Sequence, residues 1–225
     1  MTTNKTSEAA TDGSKSASNI LLKARTRHTR IFCPLLILLV AVTSPRWQMH
    51  SLPYEIMTFW GHLFVAGGVL IRIYSSLFIG GRKNEMLITE GPFSVVRNPL
   101  YLGSFLAMTG LALLTGSITF TAVLVSAFAI YYRITVKREE IFLNRKFGAR
   151  YRKYADRVPR WLPERNLWRL PDHGQWKGPR EVNVRPYFVL RAALDGSVFF
   201  LIVPLLEGLC ALREHGVVPT LLNLP

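Results

Sequence analysis

Five apolar runs separated by polar connectors divide this chain. The first extends from Ile31 to Val42, and it reaches membrane-spanning length if its helix starts back at Asn19. The second covers about Ile56 to Gly80. The third and fourth, Pro99 to Leu114 and Ile118 to about Tyr132, are separated only by Thr115, Gly116 and Ser117, which predicts a tight helical hairpin. The last runs from about Tyr187 to Leu212. A spanning helix needs about 20 apolar residues, so the shorter Pro99–Leu114 run is expected to tilt or to begin slightly inside the bilayer. The pattern predicts an all-α, polytopic membrane helix bundle of about five transmembrane helices.

Between the fourth and fifth runs the pattern changes. From Arg133 to about Arg157 the apolar positions Ile141, Phe142, Phe147, Tyr151 and Tyr154 sit among many cations, which predicts an amphipathic helix on or emerging from the membrane surface. Val158-Pro159-Arg160-Trp161-Leu162-Pro163 ends it. Residues 1–19 are rich in Ser, Thr, Ala and Lys and are expected to form a disordered tail. The division that follows is a tail over 1–19, a membrane core over 20–163, a basic linker over 164–186, and an additional C-terminal transmembrane helix within 187–225. The basic flank ahead of Ile31 also fits a signal sequence, but no small-x-small cleavage site precedes Pro45-Arg46.

Composition sharpens this. The chain has 225 residues, is 49% hydrophobic, and carries a formal charge of +14. Apolar and strongly basic together point to a membrane protein with basic cytoplasmic loops. Zinc-finger spacing, a basic zipper and RNA-recognition signatures are all missing from the sequence, so nucleic acid is not an expected partner. Cys33 and Cys210 lie far apart in apolar runs and support neither a disulfide framework nor a metal cluster. Lys5, Lys15, Lys23, Arg25, Arg27 and Arg30 precede the first run, and Arg82, Lys83 and Arg97 lie between the second and third. The positive-inside rule then places the N-terminus, the Gly91–Pro99 loop and the Arg133–Arg185 segment on the cytoplasmic side. His62, Arg72, Arg191, Asp195 and Glu207 fall within apolar runs, where an ionisable group is expensive unless paired. Arg191 and Asp195, four apart, suit a pair on one helix face.

The stretch Glu90 to Gly103 carries candidate chemistry. Gly91-Pro92 makes a turn, Asn98 is a good N-cap, and Pro99 suits a first helical position. A helix starting at Pro99 presents unpaired N–H groups and a positive partial charge, with Arg97 beside them. That is an anion site at the membrane–water boundary; the same residues also serve to anchor a helix end among headgroups. The second candidate is Glu139-Glu140. Adjacent helical residues point about 100° apart, so one carboxylate can face a ligand while the other pairs with Lys137, Arg138 or a neighbouring loop. A helix start that attracts anions, set beside carboxylates, suits a zwitterion.

Two ordered motifs then resemble a known family. Leu87-Ile88-x-x-Gly91-Pro92-Phe93-x-x-Val96-Arg97-Asn98-Pro99-x-Tyr101-x-Gly103, and later Glu139-Glu140-x-x-Leu143-x-x-x-Phe147-Gly148-x-x-Tyr151-x-x-Tyr154-x-x-x-Val158-Pro159-Arg160, resemble the isoprenylcysteine carboxyl methyltransferase and phospholipid methyltransferase family. The resemblance spans about residues 60–163. It implies an integral membrane methyltransferase that uses S-adenosylmethionine, with the amphipathic helix completing the cofactor pocket. The implied cofactor contacts are Glu85, Met86, Leu87, Ile88, Phe93, Asn98, Pro99, Leu100, Tyr101 and Glu139, and the implied catalytic set is Arg97, Glu139 and Glu140. The family's common His before Pro is Asn98 here, which keeps hydrogen bonding but does not titrate near neutral pH.

The expected reaction is methyl transfer to a lipophilic or prenylated acceptor drawn from the bilayer, with isoprenylcysteine-type carboxyl O-methylation foremost. Alternatives are a lipid amine, a lipid phosphate or a small thiol as acceptor, a membrane NADPH-dependent sterol-type reductase, and a non-catalytic membrane adaptor.

Overall fold

The computed structural model describes residues 43–45, 51–79, 86–163, 186–214 and 222–224. The expected tail, the first apolar run, the Gly80-Gly81 break, Glu85 and the linker up to 185 lie outside the described residues. Among the described residues there are six helices: α1 (Leu52–Ile79), α2 (Pro92–Val95), α3 (Pro99–Leu113), α4 (Ile118–Phe147), α5 (Ala149–Ala155) and α6 (Pro186–Glu214). Two three-residue strands, β1 (Thr43–Pro45) and β2 (Leu222–Leu224), pair with each other. All six helices lie in one compact unit, Pro45–Val217 with Leu224–Pro225.

Helices α1 and α4 are long and apolar enough to cross a membrane, while Pro99–Leu113 and Gly196–Leu212 are shorter apolar segments. Their outer faces carry large apolar side chains such as Phe59, Leu70, Val123, Ile130 and Leu201. In lipid, such a surface gains nothing by burial, and helices associate instead through close backbone packing of small residues. The α1–α3 contact follows that rule. Gly61 and Gly68 on α1 face Gly103 and Gly110 on α3, each pair spaced to fall on one stripe. A Cβ built on Gly68 would lie 2.5 Å from the Ala107 nitrogen and the Gly103 oxygen, and one on Gly110 would lie 2.6 Å from the Gly61 oxygen. Val65, Val69 and Ala107 fill the seam between them.

The predicted hairpin is present. Gly116 takes a left-handed φ of 70° in the Leu114–Ser117 connection. The Ser117 hydroxyl caps α4 by accepting the Phe120 N–H at 3.2 Å, and Thr121 Oγ1 donates back to the Ala112 carbonyl at 3.0 Å. Beyond the hairpin, however, the expected boundary near Arg133 does not exist. The fourth apolar run and most of the amphipathic segment form one unbroken helix of 30 residues, ending at Gly148 with φ 54°. No Gly or Pro interrupts Ile118–Phe147, so the change in polarity at Arg133 changes the surroundings of the helix and not its backbone.

Helix α6 lies against α1. A Cβ on Gly196 would contact Val69 and Ile73, Leu206 and Cys210 are buried, and Arg72 stacks over the Phe199 ring at 5.6 Å. Arg72 also donates to the Ser104 hydroxyl of α3. The side chains of Arg191 and Asp195, whose pairing the sequence suggests, are outside those described.

Candidate functional site

The start of α3 and the last third of α4 meet, as the two motifs require. Pro99 occupies the first turn of α3, and Asn98 is its N-cap residue. The Asn98 side chain does not cap. Its Nδ2 donates 3.3 Å to the Arg160 carbonyl instead, so the side-chain capping expected from sequence is corrected. The first-turn N–H groups of α3 therefore keep no side-chain acceptor from their own cap. Arg97, one residue earlier, is fixed from its backbone, where its N–H donates 2.8 Å to the Pro159 carbonyl.

The two adjacent acids divide as helix geometry demands. Glu139 accepts the Tyr101 hydroxyl at 2.6 Å. Glu140 turns the other way and is saturated by cations: Oε1 takes an Arg97 terminal nitrogen at 3.2 Å and Arg160 Nε at 3.0 Å, and Oε2 takes an Arg160 terminal nitrogen at 2.6 Å. Glu140 and Arg97 are largely sheltered, with side chains 11% and 17% exposed, whereas Arg160 is 49% exposed. Two guanidinium groups against one carboxylate leave local positive charge beside the positive end of α3. Arg97 Nε is buried without a hydrogen-bond partner.

Below this cluster lies an apolar base. Tyr151, Tyr154 and Val158 are buried together, with Leu87, Leu143, Phe147 and Ala155 packed around them. The Tyr154 hydroxyl donates 2.7 Å to the Phe93 carbonyl, tying α5 to α2. Burial pushes the Tyr154 phenol well up, with Tyr151 and Glu140 adding to the rise. Burial likewise raises Tyr151, reinforced by Glu140 and partly offset by Arg97. The hydrogen bond to Glu140 raises Arg160, so that cation is held in its charged form.

From Glu139 an aromatic series leads along the α3–α4 hairpin. Tyr101 lies 5.6 Å from Tyr132, which stacks on Phe128 at 6.1 Å and meets Phe105 at 6.4 Å. The geometry thus brings together Arg97, Asn98, Pro99, Tyr101, Glu139 and Glu140. Leu100 follows on the first turn of α3, and Phe93 joins through its carbonyl. Leu87 sits in the apolar base, Ile88 is half-buried beside it in sequence, and Met86 is 53% exposed. Arg160 as the residue that binds Glu140 was not singled out from the sequence. Its place in the Val158-Pro159-Arg160 motif was the available signal.

A family model described as phospholipid methyltransferase matches residues 56–150. The cobalt-zinc-cadmium resistance protein CzcN of Cupriavidus metallidurans is 33% identical over 156 residues, covering 69% of this chain and 71% of that protein. The nickel-cobalt-cadmium resistance protein NccN of Alcaligenes xylosoxydans xylosoxydans is 30% identical over 205 residues, 89% of this chain and 91% of that one. The protein-S-isoprenylcysteine O-methyltransferase of Schizosaccharomyces pombe is 30% identical over 81 residues, 36% of this chain and 34% of the yeast protein. No solved structure matches. With the family match taking in the first motif, the opening of the second and the helices that bring them together, the chain belongs to the phospholipid methyltransferase and isoprenylcysteine methyltransferase family.

Proposed function

We propose that this protein transfers a methyl group from S-adenosylmethionine to a lipophilic acceptor at a membrane face, with isoprenylcysteine-type carboxyl O-methylation as the reaction. The observation that carries the reading is the meeting of the two motifs, Tyr101 on Glu139 at 2.6 Å and Arg97 on Glu140 at 3.2 Å. The donor set fits a zwitterionic cofactor. The excess cation at Arg97 and Arg160, the uncapped start of α3 and the orphaned Arg97 Nε suit a carboxylate. Glu139 suits an ammonium or sulfonium. Phe93, Leu87 and Ile88 offer apolar surface for a nucleoside, with Met86 at the rim.

When bound, the cofactor would supply a methyl group on a sulfonium, open to in-line attack by the acceptor with the neutral thioether as the leaving group. The chain's own contribution is alignment and exclusion of water, which supply much of the barrier reduction in such a transfer. Glu140 positions Arg97 and Arg160, and Tyr101 orients Glu139. The aromatic series Tyr101, Tyr132, Phe128 and Phe105 gives a lipophilic acceptor a dry flank along the hairpin. Asn98 provides no titrating base, which suits an acceptor already ionised, such as a carboxylate.

The test uses the purified full-length protein in detergent. S-adenosylhomocysteine raises its unfolding temperature, NADPH does not, and membranes incubated with methyl-labelled cofactor yield labelled lipid or protein that Glu139→Gln abolishes. Absence of both the thermal shift and the label overturns the reading; label in lipid alone moves the acceptor from a prenylated protein to a lipid headgroup.

The printed names of CzcN and NccN connect those two proteins with resistance to cobalt, zinc, cadmium and nickel. We infer a role in metal tolerance exerted through the methylated product. Growth on cadmium should fall in a strain whose only copy carries Glu139→Gln, and equal growth with the unaltered gene sinks this part.

A further inference from the structure

Arg72 lies in the apolar part of α1, where a guanidinium is expensive unless the protein engages it. It sits about 10 Å back from the end of α1, and Ser104 about 7 Å in from the start of α3, at ~1.5 Å per residue. A long cationic side chain at such a place can stretch its head to the water boundary. Arg72 turns inward instead. Its stem packs on Gly103, where a Cβ would lie 3.0 Å from Arg72 Cγ and 3.1 Å from the Arg72 nitrogen. A terminal guanidinium nitrogen donates to the Ser104 hydroxyl, and the guanidinium carbon lies 5.6 Å from the centre of the Phe199 ring of α6. Three helices meet on this one side chain.

Ser104 passes the contact on. A hydroxyl accepts and donates at once, and this one donates 2.8 Å to the Leu100 carbonyl. Serine often makes that backward bond in a helix, but a charged donor on its oxygen polarises and strengthens it. Leu100 belongs to the first turn of α3, which the Leu102 N–H closes by donating 3.0 Å to the Asn98 carbonyl. The next residue, Tyr101, donates 2.6 Å to Glu139. A line of contacts thus runs from Phe199 through Arg72 and Ser104 to Leu100, beside the tyrosine that orients Glu139. Helix α6 lies beyond residues 56–150, which the family model matches. It has its own hold on α1, with Gly196 packed at Val69 and Ile73, and Glu207 Oε1 at 2.9 Å from His62 Nε2.

We propose that Arg72 is a positioning residue for methyl transfer: it sets the first turn of α3, and through Phe199 it makes α6 part of that arrangement. The role rests on the methyl-transfer reading of the site. Arg72 acts through Ser104 and not on the reacting groups. What it holds is the turn whose N–H groups and Tyr101 serve the methyl donor.

Peptide-resolved amide exchange and the KM for the methyl donor, both measured on the full-length protein in detergent, test this. Arg72→Met and Ser104→Ala should each speed exchange over residues 99–104 about tenfold, with residues 112–121 of the hairpin unchanged. Each should raise the donor KM by a similar factor, and the double variant should go no further, because both break the same line. Arg72→Lys, which keeps a charged donor on a similar stem, should recover most of both. Phe199→Leu, which removes the ring face and leaves α6 its other contacts, should raise KM about threefold. If Arg72→Met does not fold, Ser104→Ala decides. Faster exchange spread evenly over α3 and the hairpin, with an unchanged donor KM, makes Arg72 a packing residue and overturns the proposal. An unchanged KM in Phe199→Leu overturns the part given to α6. An unaltered protein that neither binds S-adenosylhomocysteine nor labels membranes overturns the methyl-transfer reading and this role with it; transfer at unchanged KM in every variant overturns this role alone.

Discussion

Glu140 and Arg160 meet side by side, both carboxylate oxygens accepting from one guanidinium at 3.0 and 2.6 Å, while the same carboxylate also holds Arg97 at 3.2 Å. This joins three stretches far apart in sequence: the entry to α3, the polar half of α4 and the segment after α5. Removing the shared anion strands two cations at once. Glu140→Gln should cost about 3 kcal/mol, the lower end for breaking a sheltered pair. Arg160→Met, losing a half-exposed partner, should cost about 1 kcal/mol or less. Unfolding midpoints in detergent check the order. Equal costs for the two variants would show that Arg97 draws nothing from Glu140.

Tyr101→Phe deletes the hydroxyl on Glu139 and leaves the ring in its aromatic series. Hydrogen bonds to charged groups contribute about 1.5–3 kcal/mol. Expected is a rise of roughly tenfold in KM for the methyl donor, corresponding to about 1.4 kcal/mol, with little change in unfolding temperature. A drop in stability without a change in KM would make the hydroxyl purely structural.

The α1–α3 seam predicts a contrast between two glycines. Gly68→Ala puts a methyl group 2.5 Å from backbone atoms of α3 and should destabilise by about 3 kcal/mol or more, because backbone gives way less readily than a side chain. Gly208→Ala on α6, where a Cβ meets nothing within 4 Å, should stabilise by about 0.5–1 kcal/mol through helix propensity. Similar effects from both would rule out the tight seam.

Alkaline pH should loosen the base of the site. Tyr154 and Tyr151 are raised above the ordinary phenol value of 10.0, so the folded protein keeps protons that the unfolded chain releases. Their contribution is complete below about pH 10 and is lost as pH climbs above it. Tyr154→Phe should lower stability at neutral pH by about 1 kcal/mol through loss of the bond to Phe93, yet flatten the decline above pH 10. Parallel curves for the two proteins would contradict this.

Local grammar was readable in the sequence where one residue type answers one backbone demand. Asn98-Pro99 marked the start of α3, Thr115-Gly116-Ser117 the hairpin, and the angle between neighbouring helical residues separated Glu139 from Glu140. What was hidden depends on partners supplied from a distance. The Arg160 carbonyl draws the Asn98 side chain away from its capping position, and nothing in the Asn-Pro pair foretells that. The onset of cations at Arg133 mimicked a helix boundary, although the actual break is Gly148. His62 and Glu207 are 145 residues apart in sequence and carry no shared motif.

The continuity of α4 has a mechanical meaning. A helix of 30 residues is about 45 Å long, well beyond a hydrocarbon layer of about 30 Å. One end is pinned at the Ser117 turn, and the paired acids ride on the far third of the same stiff rod. With the helix lodged in a bilayer, a change in thickness that altered its inclination would act on Glu139 and Glu140, which ride well along the rod from that turn. The contacts of Tyr101 with Glu139 and of Arg97 with Glu140 are what would have to stretch for that inclination to change.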